Sequence, residues 1–373
     1  MIDFTSALYL GMRHAHGTLP PWLQLTTGRP AALKEAPEAV RLSEDIAQLL
    51  RCERALLAPS TLHLFWDLFD VLASRRIAIY ADAGIYPIAR WGVERASARG
   101  IPVAEFSEHD PDSLEALLRR DCAGGRQPVV VTDGLCAETG RTAPLADYLG
   151  LVRKYGGRLV IDDTQALGVL GGDASDDAPY GHGGGGTPAW RGIEASELIV
   201  GSSLAKGFGA PLAVVAGDAT FMSDLEHLGA TRIHCSPPSL VDIGAAQRAL
   251  AINHNEGDAL RVRLGKLVRV FRLGLRRIGL AAHGGLFPVQ TLKTIEGVDP
   301  QWLHRRLLTL GVGALLHRSR SLRRPLLSFL ITAAHTKADI SRCIDALRQA
   351  CALEGARREI GQPASTGMLS IPT

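Results

Sequence analysis

Lys206 stands in Ser202-Ser203-Leu204-Ala205-Lys206-Gly207-Phe208-Gly209, just after the apolar run Leu198-Ile199-Val200. Upstream, a second apolar run, Leu159-Val160-Ile161, ends in Asp162-Asp163. One buried run thus delivers a carboxylate at its end, and the other delivers an amine on a loop of small residues. An amine can hold an aldehyde as a Schiff base. A carboxylate can keep a pyridine nitrogen protonated, which makes the ring a better electron sink. Those are the two demands of pyridoxal 5′-phosphate (PLP), so the pairing points to a PLP enzyme rather than a generic α/β domain.

The elements that must position these two residues are legible as alternation. Short apolar runs at 77–80, 103–106, 129–131, 159–161, 198–200 and 213–215 read as buried strands. Helical patterns at 61–74, 86–99, 112–120 and 144–155 fall between them. This predicts a mostly parallel central sheet flanked by helices, with ligands at the carboxyl ends of its strands. A helical pattern at 239–279 leads toward a smaller α+β C-terminal domain, with a strand at 326–332 and a helix at 337–353. The expected organisation is an N-terminal segment 1–45, a large cofactor-binding domain 46–255, a small domain 256–353 and a flexible tail 354–373.

Bulk properties exclude other classes. The chain has 373 residues, 46% of them hydrophobic and 21% charged, an ordinary balance for a soluble globular protein. With 41 basic against 38 acidic residues, the net charge of +3 argues for neither nucleic acid nor a membrane surface. Arg305, Arg306, Arg318, Arg320, Arg323 and Arg324 form a local basic cluster that reads as solvated surface. Cys52, Cys122, Cys136, Cys235, Cys343 and Cys351 are scattered without metal-ligand spacing, so free thiols in a reducing cytoplasm are expected. The N-terminus shows no signal peptide, and no apolar run is long enough to span a bilayer. The run from Gly181 to Gly186 reads as a flexible loop, because no Gly-Lys-Ser/Thr follows it.

Five segments, in order, carry a resemblance. They are Phe4 to Gly11, Val131-Thr132-Asp133-Gly134 with Ala143-Pro144-Leu145, Ile161-Asp162-Asp163 through Gly168, Lys206-Gly207-Phe208-Gly209, and Cys235-Ser236-Pro237-Pro238. Over about residues 1–350 the chain resembles the α-oxoamine synthase family of fold-type I PLP transferases, which includes 8-amino-7-oxononanoate synthase and 2-amino-3-ketobutyrate CoA ligase. The resemblance implies that Lys206 holds PLP and shuttles the substrate α-proton, and that Asp162 pairs with the ring nitrogen. It implies phosphate binding by Ser203 and by backbone amides at Ser60, Thr61 and Leu62, at a helix N-terminus. It also implies a homodimer with shared active sites, in which His234 or Ser236 reaches the partner's phosphate.

Three departures bear on the reaction. The family's His after the aspartate is Gln165, which can donate a hydrogen bond but cannot titrate near neutrality. The family's ring-stacking His aligns with Tyr86, and tyrosine also stacks well. The family's carboxylate-binding Arg falls at Ser328, which cannot form a bidentate charged pair; Arg323 or Arg324 would have to compensate. The chain also starts without the helical extension of the biotin-pathway members. The expected activity is condensation of an amine or amino acid with an acyl thioester on CoA or a carrier protein. The alternative is a PLP aminotransferase, toward which Gln165 and Tyr86 lean. A PLP-fold transcription regulator would need a helix-turn-helix extension that the chain has no room for. A dehydrogenase would need a Gly-x-Gly-x-x-Gly segment, which is absent.

Overall fold

The computed structural model describes residues 1–19, 21–121, 125–319 and 324–359. The strands in chain order are β1 (Ile2–Asp3), β2 (Arg54–Ala58), β3 (Ile77–Asp82), β4 (Val103–Phe106), β5 (Gln127–Asp133), β6 (Arg158–Asp162), β7 (Leu198–Ser203), β8 (Ala213–Gly217), β9 (Ala282–His283), β10 (Val289–Leu292), β11 (Val312–Gly313), β12 (Leu315–Arg318) and β13 (Pro325–Leu330). The helices are α1 (Pro37–Leu50), α2 (Thr61–Ala73), α3 (Pro87–Ala98), α4 (Pro111–Asp121), α5 (Leu145–Lys154), α6 (Gly186–Trp190), α7 (Ala219–Leu228), α8 (Ala230–His234), α9 (Leu240–Arg277), α10 (Pro300–Thr309) and α11 (Lys337–Glu359).

Among the described residues, seven strands form one sheet in the order β2-β8-β7-β6-β5-β3-β4. Strands β4, β3, β5, β6 and β7 pair in parallel, and β8 runs antiparallel to both β7 and β2. Both faces are covered, which is why the strands read as continuous apolar runs rather than alternating ones. The period of two is still visible in what each residue meets. Ile77, Ile79, Val129, Val131, Val160 and Ile199 face a core completed by Phe65 and Phe69 of α2, Val93 of α3 and Phe221 of α7. Ala78, Tyr80, Val130, Leu159, Ile161 and Val200 face the opposite core, shared with Leu42 and Ile46 of α1, Leu118 of α4 and Val152 of α5.

A second, antiparallel sheet follows the order β12-β13-β10-β9. The N-terminal segment docks here rather than on the large sheet. β1 pairs with β11, and Leu330 N donates to Phe4 O at 2.8 Å. Phe4 stacks on His335 with ring centroids 4.4 Å apart. Helix α9 starts at an N-cap, Ser239, whose hydroxyl accepts from Asp242 N, and its 38 residues run unbroken across the expected division at 255/256. It packs on α1 at one end and α11 at the other, so one helix serves both sheets. α11 continues through 354–359; the rest of the expected tail, 360–373, lies outside the described residues, as do Arg320, Arg323 and Cys122. The other five cysteines are free thiols.

The Gly181–Gly186 run is tied into the fold. Asn253 Nδ2 donates to Gly183 O at 2.8 Å, and Gly183 N donates to Asp258 Oδ1 at 3.0 Å. Arg261, only 1% exposed, completes this latch by bonding Asn253, Asp258 and Gly168 O. No helix among the described residues is long and apolar enough to cross a membrane, and no cluster among them could hold a metal ion.

Candidate active site

The parallel register brings Asp133, Asp162 and Gly201 side by side at the carboxyl ends of β5, β6 and β7. Asp162 is buried, and its Oδ1 accepts from Thr164 N at 3.0 Å. Thr164 Oγ1 in turn accepts from Ser203 N at 3.0 Å, which locks the end of β6 to the end of β7. Lys206 lies three residues beyond β7, half-buried, and Ser203 Oγ accepts from Ala205 N within that loop. The lysine loop presses on the turn that follows Asp162. A Cβ on Gly207 would lie 2.3 Å from Leu167 O, so only glycine fits there.

Tyr86 caps α3, with Pro87 at the first helical position. Its backbone N–H donates to Asp133 Oδ1 at 2.9 Å, which fixes the loop between β3 and α3. Its ring is half exposed, and Lys206 Nζ lies 5.8 Å from the ring centroid. Gln165 is held from the other side: Tyr9 OH donates to its Oε1 at 2.7 Å.

These residues line one cavity of about 690 Å³, of a size that suits a cofactor with a small substrate. Thr61, Tyr86, Asp162, Gln165, Ser203, Lys206 and Ser328 all reach it. Ser60 does not line it; it precedes α2, with its hydroxyl sharing a hydrogen bond with His63 Nδ1 rather than capping a backbone N–H. Leu62 turns its side chain outward and does not line the cavity. His234 and Ser236, at and just after the end of α8, are exposed and do not line this chain's cavity.

On the opposite wall Ser328 is fully buried. Its hydroxyl shares hydrogen bonds with Thr291 Oγ1 at 2.7 Å and His317 Nε2 at 2.8 Å. Arg324 is exposed and does not line the cavity, and Arg323 lies outside the described residues. Arg318 does line it, so this member of the basic cluster is not merely solvated surface. Sequence reasoning also missed Tyr9, Thr164, Asp133, Glu138 and His317 on the wall. Tyr9, Asp133 and Thr164 sit inside motif segments and were findable there. Glu138 and His317 carry no local signal.

Directly behind Asp162, Asp163 points into the core. Burial pushes its pKa up to about 7, against the opposing effect of hydrogen bonding from Thr187, whose N–H donates to Oδ2 at 2.8 Å. Asp163 Oδ1 and Thr187 Oγ1 have no hydrogen-bond partner among the described residues.

The wall fits PLP on its own chemistry. It presents an amine, a buried carboxylate with a fixed orientation, an aromatic face, an amide donor and the N-terminus of a 13-residue helix, which suits a phosphate.

No protein-family model matches the chain. It is 28% identical over 362 residues to the 8-amino-7-oxononanoate synthase of Klebsiella pneumoniae (strain 342), covering 93% of this chain and 88% of that protein. Its fold is similar to that of a serine palmitoyltransferase from Sphingomonas wittichii, at TM-score 0.80 and 18% identity over 95% of this chain and 88% of that one. It is similar to an 8-amino-7-oxononanoate synthase from Francisella tularensis, at TM-score 0.72 and 19% identity over 95% and 98%. It is also similar to SPT with a PLP internal aldimine, at TM-score 0.82 and 16% identity over 95% and 88%.

Proposed function

We propose that this chain, a divergent member of the α-oxoamine synthase family of fold-type I PLP transferases, joins an amino acid or amine to an acyl thioester. The observation that carries the reading is the meeting of Asp162 and Lys206, from neighbouring strand ends, with the Tyr86 ring on one cavity wall. When bound there, PLP supplies the electron sink that lets a carbanion form at the α-carbon of the amine.

The chain's own residues supply the rest. Lys206 anchors the cofactor's aldehyde carbon and moves the proton at the substrate α-carbon. Asp162, oriented by Thr164 N, keeps the ring nitrogen protonated. Tyr86 would offer its ring as a stacking face for the cofactor, and Gln165 would offer it a hydrogen-bond donor. The phosphate is held by the first-turn amides of α2 at Thr61 and Leu62, with Ser60 and Ser203 beside them. On the substrate side, Ser328 gives a neutral wall and Arg318 supplies a cation for a carboxylate. The exposed positions of His234 and Ser236, away from their own cavity, suit a homodimer in which they serve the neighbour's phosphate. The place of work is the cytoplasm, and the acyl donor is a thioester of CoA or of a carrier protein.

The test begins with an absorbance scan of the protein with PLP. A band near ~420 nm, absent in Lys206→Ala, is expected for a lysine–PLP Schiff base. Amino acids and amines are then added with and without an acyl thioester, and thiol release is followed. Thiol release that needs both substrates supports the synthase. Conversion to a pyridoxamine spectrum by the amine alone, without thiol release, sinks it in favour of transamination.

A further inference from the structure

Gln165 is gripped by a residue from the other side of the cleft. Tyr9 OH donates to its Oε1 at 2.7 Å, and the two positions are 156 residues apart in the chain. The segment carrying Tyr9 is bonded to the small sheet side: Ala333 N donates to Tyr9 O at 2.8 Å, and Leu330 N donates to Phe4 O. The Tyr9 ring is 1% exposed and meets Phe287 edge-on at 5.5 Å, so its hydroxyl has a fixed direction. Burial also pushes its pKa upward, so the hydroxyl keeps the proton that it donates to Gln165.

A primary amide has one acceptor end and one donor end. An unheld Gln165 would offer the cavity either. With its carbonyl oxygen engaged by Tyr9, the NH2 is what it presents. We propose that Tyr9 is a positioning residue that holds Gln165 by its carbonyl oxygen, so that its amide N–H faces the ring oxygen of the cofactor. This rests on the PLP reading above.

The consequence is electrostatic. With PLP held by Lys206, the cofactor would supply a ring oxygen that shares a proton with the lysine nitrogen. Once that proton leaves, the oxygen carries unshared negative charge. A fixed N–H donor stabilises that state most and so lowers the proton affinity of the adduct. A carbonyl in its place would raise it. A histidine would switch with pH, whereas an amide does not. The other titratable groups on the wall, Tyr86, Asp133, Glu138, Asp162, His317 and Arg318, are the same in every variant below.

The experiment is a titration of the visible band from about pH 6 to about pH 10 in the PLP-loaded wild type, Tyr9→Phe, Gln165→Ala and the double variant, with PLP affinity measured alongside. Hydrogen bonds to charged groups predict that Gln165→Ala raises the band's pKa by about one unit, tenfold in the proton equilibrium. Tyr9→Phe should move it in the same direction, and the double variant should titrate like Gln165→Ala alone, because the two act through one bond. Tyr9→Phe that weakens PLP binding but titrates like the wild type makes Tyr9 a packing residue and overturns the proposal. So do additive shifts, or a Gln165→Ala titration that does not move. No band in the wild type would instead overturn the PLP reading itself, and this proposal with it.

Discussion

Replacing Asp163 with Asn should make the protein's stability less sensitive to a rise in pH from mildly acidic to neutral. Asp163 is completely buried, and desolvation raises its pKa from 3.8 to about 7; the hydrogen bonding from Thr187 opposes this, and the adjacent Asp162 charge adds to it. For a group whose folded pKa is raised, the stabilising contribution is complete below the unfolded pKa and is lost as pH climbs through the folded one. The window therefore runs from 3.8 to about 7. A shift of roughly three units corresponds to about 4 kcal/mol over the whole window. By pH ~5 the unfolded chain has already ionised, so about 3 kcal/mol remains to be lost between pH ~5 and pH ~9. The Asn amide oxygen keeps the bond from Thr187 N and carries no charge at any pH. The assay is urea unfolding followed by circular dichroism at both pH values, without added cofactor so that binding does not contribute its own pH dependence. The stability difference, Asp163→Asn minus wild type, should rise by about 3 kcal/mol from the lower pH to the higher. A difference that stays flat would refute the reasoning.

Gly207→Ala should damage the cofactor site with little effect on the sheet, because the new Cβ would lie 2.3 Å from Leu167 O and neither backbone can yield without moving the loop of Lys206. A loss of PLP affinity of about tenfold or more is expected by equilibrium titration, with a stability cost of about 1–3 kcal/mol; unchanged affinity would show that the loop has slack. Arg261→Met should lower stability by about 3 kcal/mol in chemical denaturation, since it leaves Gly168 O and Asn253 Oδ1 without their buried donor. It should also open the Gly181–Gly186 run to limited proteolysis, and resistance equal to the wild type would count against the latch.

The parts of the fold that were legible in the sequence are those fixed by neighbours along the chain. Strands β3, β5, β6 and β7 are buried on both faces, so their apolar runs stand out, and Asp162 and Lys206 were readable because each sits at or just past such a run. Strand β12 is half exposed, and its use of His317 and Arg318 on the cavity wall depends on its antiparallel register with β13, which pairs Leu315 with Ser328. Nothing local encodes that register. The N-terminal segment is the same case at greater range: its resemblance to a family opening was visible, yet its docking on β11 and β13, at the far end of the sequence, was not. Position 165 joins the two kinds of knowledge. The residue type alone says that the side chain cannot titrate near neutrality. Which end of it Tyr9, 156 residues away, engages follows only from the fold.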